Sequence, residues 1–170
     1  MQVVLDSIDS NALARLQADG RASWADLGTA LGLSAPAAAE RVRKLTEAGV
    51  VRGFTAVLDP QATGFPVLAF VAVTLAAQGA RTRFLDAVRR HDLIQECHHV
   101  AGDDDFLLKV RARSLTELEG LLADELKGRL GIARTRTTIV LGTAKETGRL
   151  PIGPPAAVKA ARPRAARRRR

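Results

Sequence analysis

Residues 23–49 read SWADLGTALGLSAPAAAERVRKLTEAG, and the rest of the chain is placed from them. Ser23 stands before a short helical pattern with Asp26 three residues on, a pairing that resembles a capping box. Leu27 and Leu31 fall on its inward side, and Gly28 is small where a following helix would cross closely. Gly32 supplies the turn, because left-handed backbone is cheap only for glycine. Ser34 then caps a second helix whose inward positions, Ala38, Val42 and Leu45, follow the i, i+4, i+7 spacing. Its other side carries Arg41, Arg43 and Lys44. Two short helices across a glycine turn form a helix–turn–helix, a motif that lays its second helix in the DNA major groove.

Upstream, Asp6 is placed to cap a helix through Ile8, Ala12, Leu13 and Leu16, ending near Asp19-Gly20. Downstream, Val50 to Leu58 alternates like a strand or short β-ribbon bending at Gly53, which would make a winged helix–turn–helix over residues 1–58. Pro60 and Gly64 interrupt both periodicities, so 59–64 reads as a linker. Residues 65–147 then follow a β-α-β-β-α-β order. The strands are Phe65 to Ala76, Ile94 to Ala101, Phe106 to Ala112 and Ile132 to Leu141. The helices are Arg81 to Arg90 and Leu115 to Leu126, the latter capped by Ser114 with Glu117 in capping-box position. This is the α+β, ferredoxin-like arrangement, two helices on one face of a four-stranded antiparallel sheet. Val71, Val73, Leu107 and Val110 are expected on the uncovered face, which needs a partner, so a dimer is expected.

The chain has 170 residues and a formal charge of +8. Lys159, Arg162, Arg164 and Arg167 to Arg170 supply seven of its 26 bases, with no acid among residues 151–170. Without those seven, the body carries one base more than its 18 acids, so its overall charge says nothing about a polyanion partner. Residues 148–170, rich in Pro, Ala and Arg, read as a disordered basic tail that binds phosphates non-specifically. A single cysteine, Cys97, excludes an intrachain disulfide and fits a cytoplasmic location. No run approaches the ~18 apolar residues of a membrane span. The N-terminal residues lack the basic and apolar regions of a secretion signal.

Enzyme signatures are missing: no nucleophile elbow, phosphate loop, dinucleotide fingerprint or Cys-x-x-Cys pair occurs. Glu96-Cys97-His98-His99 is a poor metal site. A strand sends Cys97 and His99 to one face and Glu96 and His98 to the other, so at most two ligands converge. No cofactor, metal or catalytic residue is expected.

The order Leu5-Asp6-x-x-Asp9, Gly20-Arg21-x-Ser23, Gly32-Leu33-Ser34, Arg41-Val42-x-x-Leu45, Gly49-Val50-Val51 and Leu58-Asp59-Pro60 resembles a known family. So do Glu96-Cys97, Val100-x-Gly102-x-x-Asp105-Phe106-Leu107-Leu108-Lys109-Val110 and Thr135-x-Thr137-x-Ile139-Val140-Leu141. The family is that of the leucine-responsive/asparagine-regulator (Lrp/AsnC, feast/famine) transcription factors. The resemblance covers residues 3–147. It implies a DNA-binding domain joined to a ferredoxin-like (RAM-type) domain that dimerises and binds an amino acid between subunits. Tetramers or octamers of such dimers are implied too. On that basis the expected DNA contacts are Ser23, Ser34, Ala35, Ala37, Arg41, Arg43, Lys44 and Arg52. The expected effector contacts are Val100, Gly102, Asp103, Asp104, Asp105, Thr135 and Thr137. Carboxylates of the turn would receive the ammonium group, and its backbone N–H groups the carboxylate.

Two departures stand out. Ala35 to Ala39 present methyl groups where the family's helix is polar, and Glu40 sits where a base is common. The basic tail lies outside the family pattern. Together they motivate an alternative, an architectural, chromatin-like DNA binder with little sequence preference. A metabolic sensor or enzyme with vestigial DNA contacts is a second alternative.

Overall fold

A computed structural model describes residues 4–76, 79–127 and 130–152. They fall into two compact units, one of residues up to Ala56 together with the segment from Thr147, the other Val57–Glu146.

The first unit is three helices: α1 (Ser7–Ala18), α2 (Trp24–Leu31) and α3 (Ala35–Glu47). Each start is fixed by its cap. Asp6 and Asp9 form a reciprocal capping box on α1, each side chain accepting from the other's backbone N–H. Ser23 and Ser34 accept from Asp26 N–H and Ala37 N–H to start α2 and α3. The core is small, with Ala12, Leu13, Leu27, Ala38, Val42 and Leu45 buried. Gly32 adopts φ 67, the left-handed cap that ends α2.

Residues 50–58 carry no strand. The expected wing is an irregular segment in which Val50 and Val51 N–H donate to Leu45 C=O and no strand is formed. Alternation makes a pleated surface only where there is something to pair with or bury against. Here Val57 is 96% exposed, while Phe54 packs beside Gly20 in the α1–α2 connection.

The second unit contains β1 (Val67–Leu75), α4 (Ala80–Arg90), β2 (Ile94–His99), β3 (Phe106–Ala112), α5 (Leu115–Gly120) and β4 (Ile132–Ile139). The sheet order is β2-β3-β1-β4, all antiparallel, the ferredoxin-like topology. Beyond α5 the helix widens into a π-helix over Leu121–Lys127. The buried leucines Leu121 and Leu126 are five apart, the step that a π-turn aligns. Residues 59–64, expected as a linker, form a hydrogen-bonded turn. Asp59 accepts from Gln61 N–H, and Thr63 N–H returns to Asp59 C=O.

The two sheet faces differ from expectation. Val71 pairs with Leu108, Val73 with Phe106 and Ala69 with Val110, and all six are buried in the core with Phe84, Val88, Leu118 and Leu121 of the helices. Val71, Val73 and Val110 therefore face the helices, not the open side. Of the four residues expected there only Leu107 is on it. The strand period is 2, so a face assigned with the wrong parity inverts completely. The open face instead carries Leu68, Phe70, Ala72 and Thr74 beside Glu96, Lys109, Arg111, Arg134 and Arg136. Lys109 donates to Glu96 and Glu146, and Arg111 to Glu146. Leu68, cross-strand from Arg111, and Ala72, cross-strand from Leu107 and Arg136, stay under a tenth exposed.

Residues 148–152 were expected in the disordered tail, but two of them are hydrogen-bonded to α1. Gln17 Nε2 donates to Leu150 C=O at 3.1 Å, Leu150 N–H donates to Gln17 Oε1 at 2.6 Å, and Arg149 reaches Ala18 C=O. The remainder of that expectation, residues 153–170, lies outside the described residues.

Candidate nucleic-acid interface and effector turn

The α2–α3 geometry depends on one missing side chain. A Cβ on Gly28 would lie 2.7 Å from Leu33 C=O and 3.1 Å from Ala35 N. Only glycine lets the turn and the start of α3 close onto α2. With Ala38, Val42 and Leu45 inward, the exposed positions of α3 are Pro36, Ala37, Glu40, Arg43, Lys44, Thr46 and Glu47.

The three bases of α3 are not equivalent. Arg41 is turned off this face, and its guanidinium reaches Asp6 at 2.7 Å and Asp9 at 2.6 Å. It joins α3 to the capping box of α1. Asp6 is held below the usual carboxylate range, first by Asp9 N–H and then by Arg41, while the two carboxylates raise Arg41. The expectation that Arg41 reads bases therefore meets a guanidinium already held by two acids. Arg43 stays outward, but Nε and Nη2 both donate to Glu40, and Nη1 to Glu47. These pairs raise Arg43 and lower Glu40. Lys44 is the least engaged, its side chain 70% exposed and 3.9 Å from Glu40. Ser23 and Ser34 are committed to caps, Ala35 is half-buried, and Arg52 is exposed on the segment that has no strand.

In the second unit, the turn between β2 and β3 folds against the end of β1. Asp105 N–H donates to Val73 C=O, and Asp105 Oδ2 accepts from Leu75 N–H at 2.8 Å. Asp104 accepts from Thr74 Oγ1, Arg134 and Arg136, with its side chain only 9% exposed. Both carboxylates are thus spoken for, and Asp103 is the exposed acid of the three. Gly102 takes φ 141, where a side chain is strained. Val100 N–H donates to Asp105 C=O, closing the hairpin. Thr135 and Thr137 pair with Val73 and Val71 and so share the helix-covered side of the sheet. Arg134 and Arg136, which meet the turn, are on the other side. The structure brings Val100 and Gly102 to Asp105 together and sets the two threonines on the opposite face of β4.

Cys97 pairs with Leu108 on the helix side, and burial pushes its thiol pKa up. Glu96 and His98 meet at 3.0 Å on the open side. Among the described residues no three His, Cys, Asp or Glu side chains converge as a metal site.

Residues 5–46 match the AsnC-type helix-turn-helix domain, and residues 68–150 match the Lrp/AsnC ligand binding domain. The chain is 41% identical over 150 residues to the leucine-responsive regulatory proteins of Klebsiella pneumoniae and Escherichia coli K12, covering 87% of this chain and 92% of each relative. This chain belongs to the Lrp/AsnC family. It is similar to a Neisseria meningitidis transcriptional regulator solved as an L-Met complex, with TM-score 0.83, 29% identity, and 87% of this chain and 97% of that one covered. A feast or famine regulatory protein from M. tuberculosis, complexed with L-methionine, gives TM-score 0.77 at 36% identity, covering 86% and 99% of the two chains. The protein is thus a transcriptional regulator with a DNA-binding helix–turn–helix and a ligand-binding domain, in a family of regulators rather than enzymes. No described helix is long and apolar enough to cross a membrane.

In this Lrp/AsnC chain, sequence reasoning missed the acids that hold the bases. Asp6 was legible as a cap and Asp9 as part of the family pattern, but neither as a partner of Arg41, and Glu47 was not singled out at all. Helical i, i+4 spacing could have found the Arg43–Glu47 pair. Nothing local could have found Arg41–Asp6, 35 residues apart.

Proposed function

We propose that this protein binds specific duplex sites from the cytoplasm as a homo-oligomer, through the outward face of α3, under control of an amino acid. The observation that carries the DNA reading is the Gly28 approach. It fixes α2 and α3 as a docking pair and leaves Ala37, Arg43 and Lys44 outward. Arg43 is the base reader, suited to guanine O6 and N7, while Lys44 and Arg52 take phosphates. Ser23 and Ser34 mark helix N-termini whose N–H groups suit phosphate oxygens. Arg41 positions α3 from behind. Gel-shift binding to the protein's own upstream region tests this. Clear preference over a random duplex at physiological salt is expected, and none would leave only the architectural reading.

The L-methionine complexes of the two similar proteins support an amino acid effector here. The turn from Val100 to Asp105 is its site. Asp103 receives the ammonium group, backbone N–H groups receive the carboxylate, and a second copy of the chain completes the pocket. Asp104 and Asp105 shape the turn, while Thr135 and Thr137 support β4 from its far side. Thermal-shift titration with the twenty amino acids separates these roles. Asp103→Ala should keep the ligand-free melting temperature and lose the ligand-induced rise. Asp105→Ala strands the Leu75 N–H, costing about 1–3 kcal/mol, and should lower the ligand-free melting temperature itself. A ligand-induced rise that survives intact in Asp103→Ala would remove this site.

A further inference from the structure

The arginines of α3 come with their own acids, so cations ready to meet a duplex must come from elsewhere in the helical unit. Arg41 is held by Asp6 and Asp9, and Arg43 by Glu40 and Glu47. Arg21 and Arg52 differ: both are exposed, and among the described residues neither guanidinium meets a carboxylate. The fold also brings them to one place. Phe54 packs on Gly20, where a Cβ would meet its ring in ordinary contact at 3.6 Å. Arg21 follows that glycine, and Arg52 stands two residues before the phenylalanine. Trp24 opens α2 just beyond them. It is the chain's single tryptophan and is 45% exposed, and its indole N–H has no acceptor among the described residues. An indole is a large apolar ring with one donor, which normally finds a partner. The two nearby acids are engaged on other groups. Asp19 accepts from Arg21 backbone N–H, and Asp26 from Ser23 Oγ.

The other end of α2 is closed onto the start of α3 by Gly28 and Gly32. Helices of this motif stand at ~90–120° to one another. With the second in the major groove, the first crosses the phosphate backbone. The end of α2 tied to α3 therefore lies at the groove. Its opposite end, at Trp24, is eight residues or ~12 Å away, over the sugar–phosphate wall. We propose that Arg21 and Trp24 join Arg52 in a phosphate clamp at the entry to α2. The indole N–H donates to a phosphate oxygen with its ring against the adjoining sugar, and the two guanidinium groups take flanking phosphates. The ligand is the duplex backbone and not base edges, so the clamp fixes position and adds affinity without sequence preference. Its members separate by salt, because a guanidinium on a phosphate releases counterions and a neutral indole does not. This rests on the proposed seating of α3 in the major groove.

The test uses the full chain with two labelled duplexes, one enriched by it from a random-sequence pool and one random. Anisotropy of the duplex across a range of KCl reads affinity, and the protein's tryptophan emission, all of it from Trp24, reads the contact itself. Duplex that saturates the anisotropy should also shield that emission from acrylamide. This is read in the unsubstituted protein, so it stands whether or not a variant folds. Trp24→Phe keeps a ring and loses the donor. It should weaken binding to both duplexes about tenfold and leave the salt slope unchanged. Arg21→Ser should weaken both and flatten the slope by about 0.9. Emission still open to acrylamide in the complex, unchanged affinity of Trp24→Phe, or a loss confined to the enriched duplex overturns the clamp while α3 binding stands. Failure of the unsubstituted protein to bind either duplex overturns the DNA reading beneath it.

Discussion

At the scale of single residues, the helical unit depends on atoms absent or turned inward. Gly28→Ala puts a methyl 2.7 Å from the Leu33 carbonyl, and backbone rather than a flexible side chain must give way. Such overpacking costs ~1–3 kcal/mol, which chemical denaturation of the helical unit should register. Arg41 makes a different prediction. Asp9 N–H first and then the pair with Arg41 depress the Asp6 carboxylate, so the stabilisation is fully present above the ordinary carboxyl value near ~4 and is lost as pH falls through the lower folded value. Asp6→Asn should therefore melt lower than the parent at pH 6, with the gap closing below about pH 4. A gap independent of pH would mean that the charge on Asp6, held by Asp9 N–H and Arg41, contributes nothing. Gly28, Gly32 and the caps at Asp6, Ser23 and Ser34 were legible in the sequence because each acts within a few residues. Arg41 was read as a DNA contact because its two acids lie more than 30 residues away, and helical position alone does not say which way a long side chain turns.

Among the elements, α3 and the sheet behave in opposite ways. The recognition helix brings its own counter-ions: Arg43 lies between Glu40 and Glu47, so contact with a phosphate or a base exchanges partners instead of adding one. Replacing both Glu40 and Glu47 by Gln should then raise affinity for random duplex and steepen the salt slope by about one unit, since Arg43, released by both acids, becomes free to neutralise a phosphate. Fluorescence anisotropy against KCl checks this, and an unchanged slope would mean Arg43 already reaches DNA in the parent. The sheet elements were found from composition and turn signals to within two residues, and their order follows. Their facing was not, because Phe65 to Ala77 is apolar on both sides. With Leu68 and Ala72 buried, the open face of β1 is nearly as apolar as its core face. Parity there is decided by α4 and α5, not by the strand. The absent wing has the converse origin, an alternating segment with no neighbouring strand.

Taken whole, the molecule has two unequal cores. Among the described residues, six buried apolar side chains lie in the helical unit and sixteen in the second unit. Unequal apolar burial predicts two heat-absorption peaks, the helical unit melting first. A single peak in scanning calorimetry, with matching circular-dichroism transitions, would contradict it. Specific duplex should raise the lower peak, and an amino acid effector the upper one. The sequence ends the second domain at residue 147 and starts a tail at 148, whereas the segment from Thr147 belongs with the helical unit. That return makes the helical unit discontinuous, and the sensor is formally an insertion within it. An insertion is bound to its host at both ends, here at 56–57 and 146–147. A change in the sensor thus has two covalent routes to the DNA-binding helices, and a protease nick in the 59–64 turn severs only one of them.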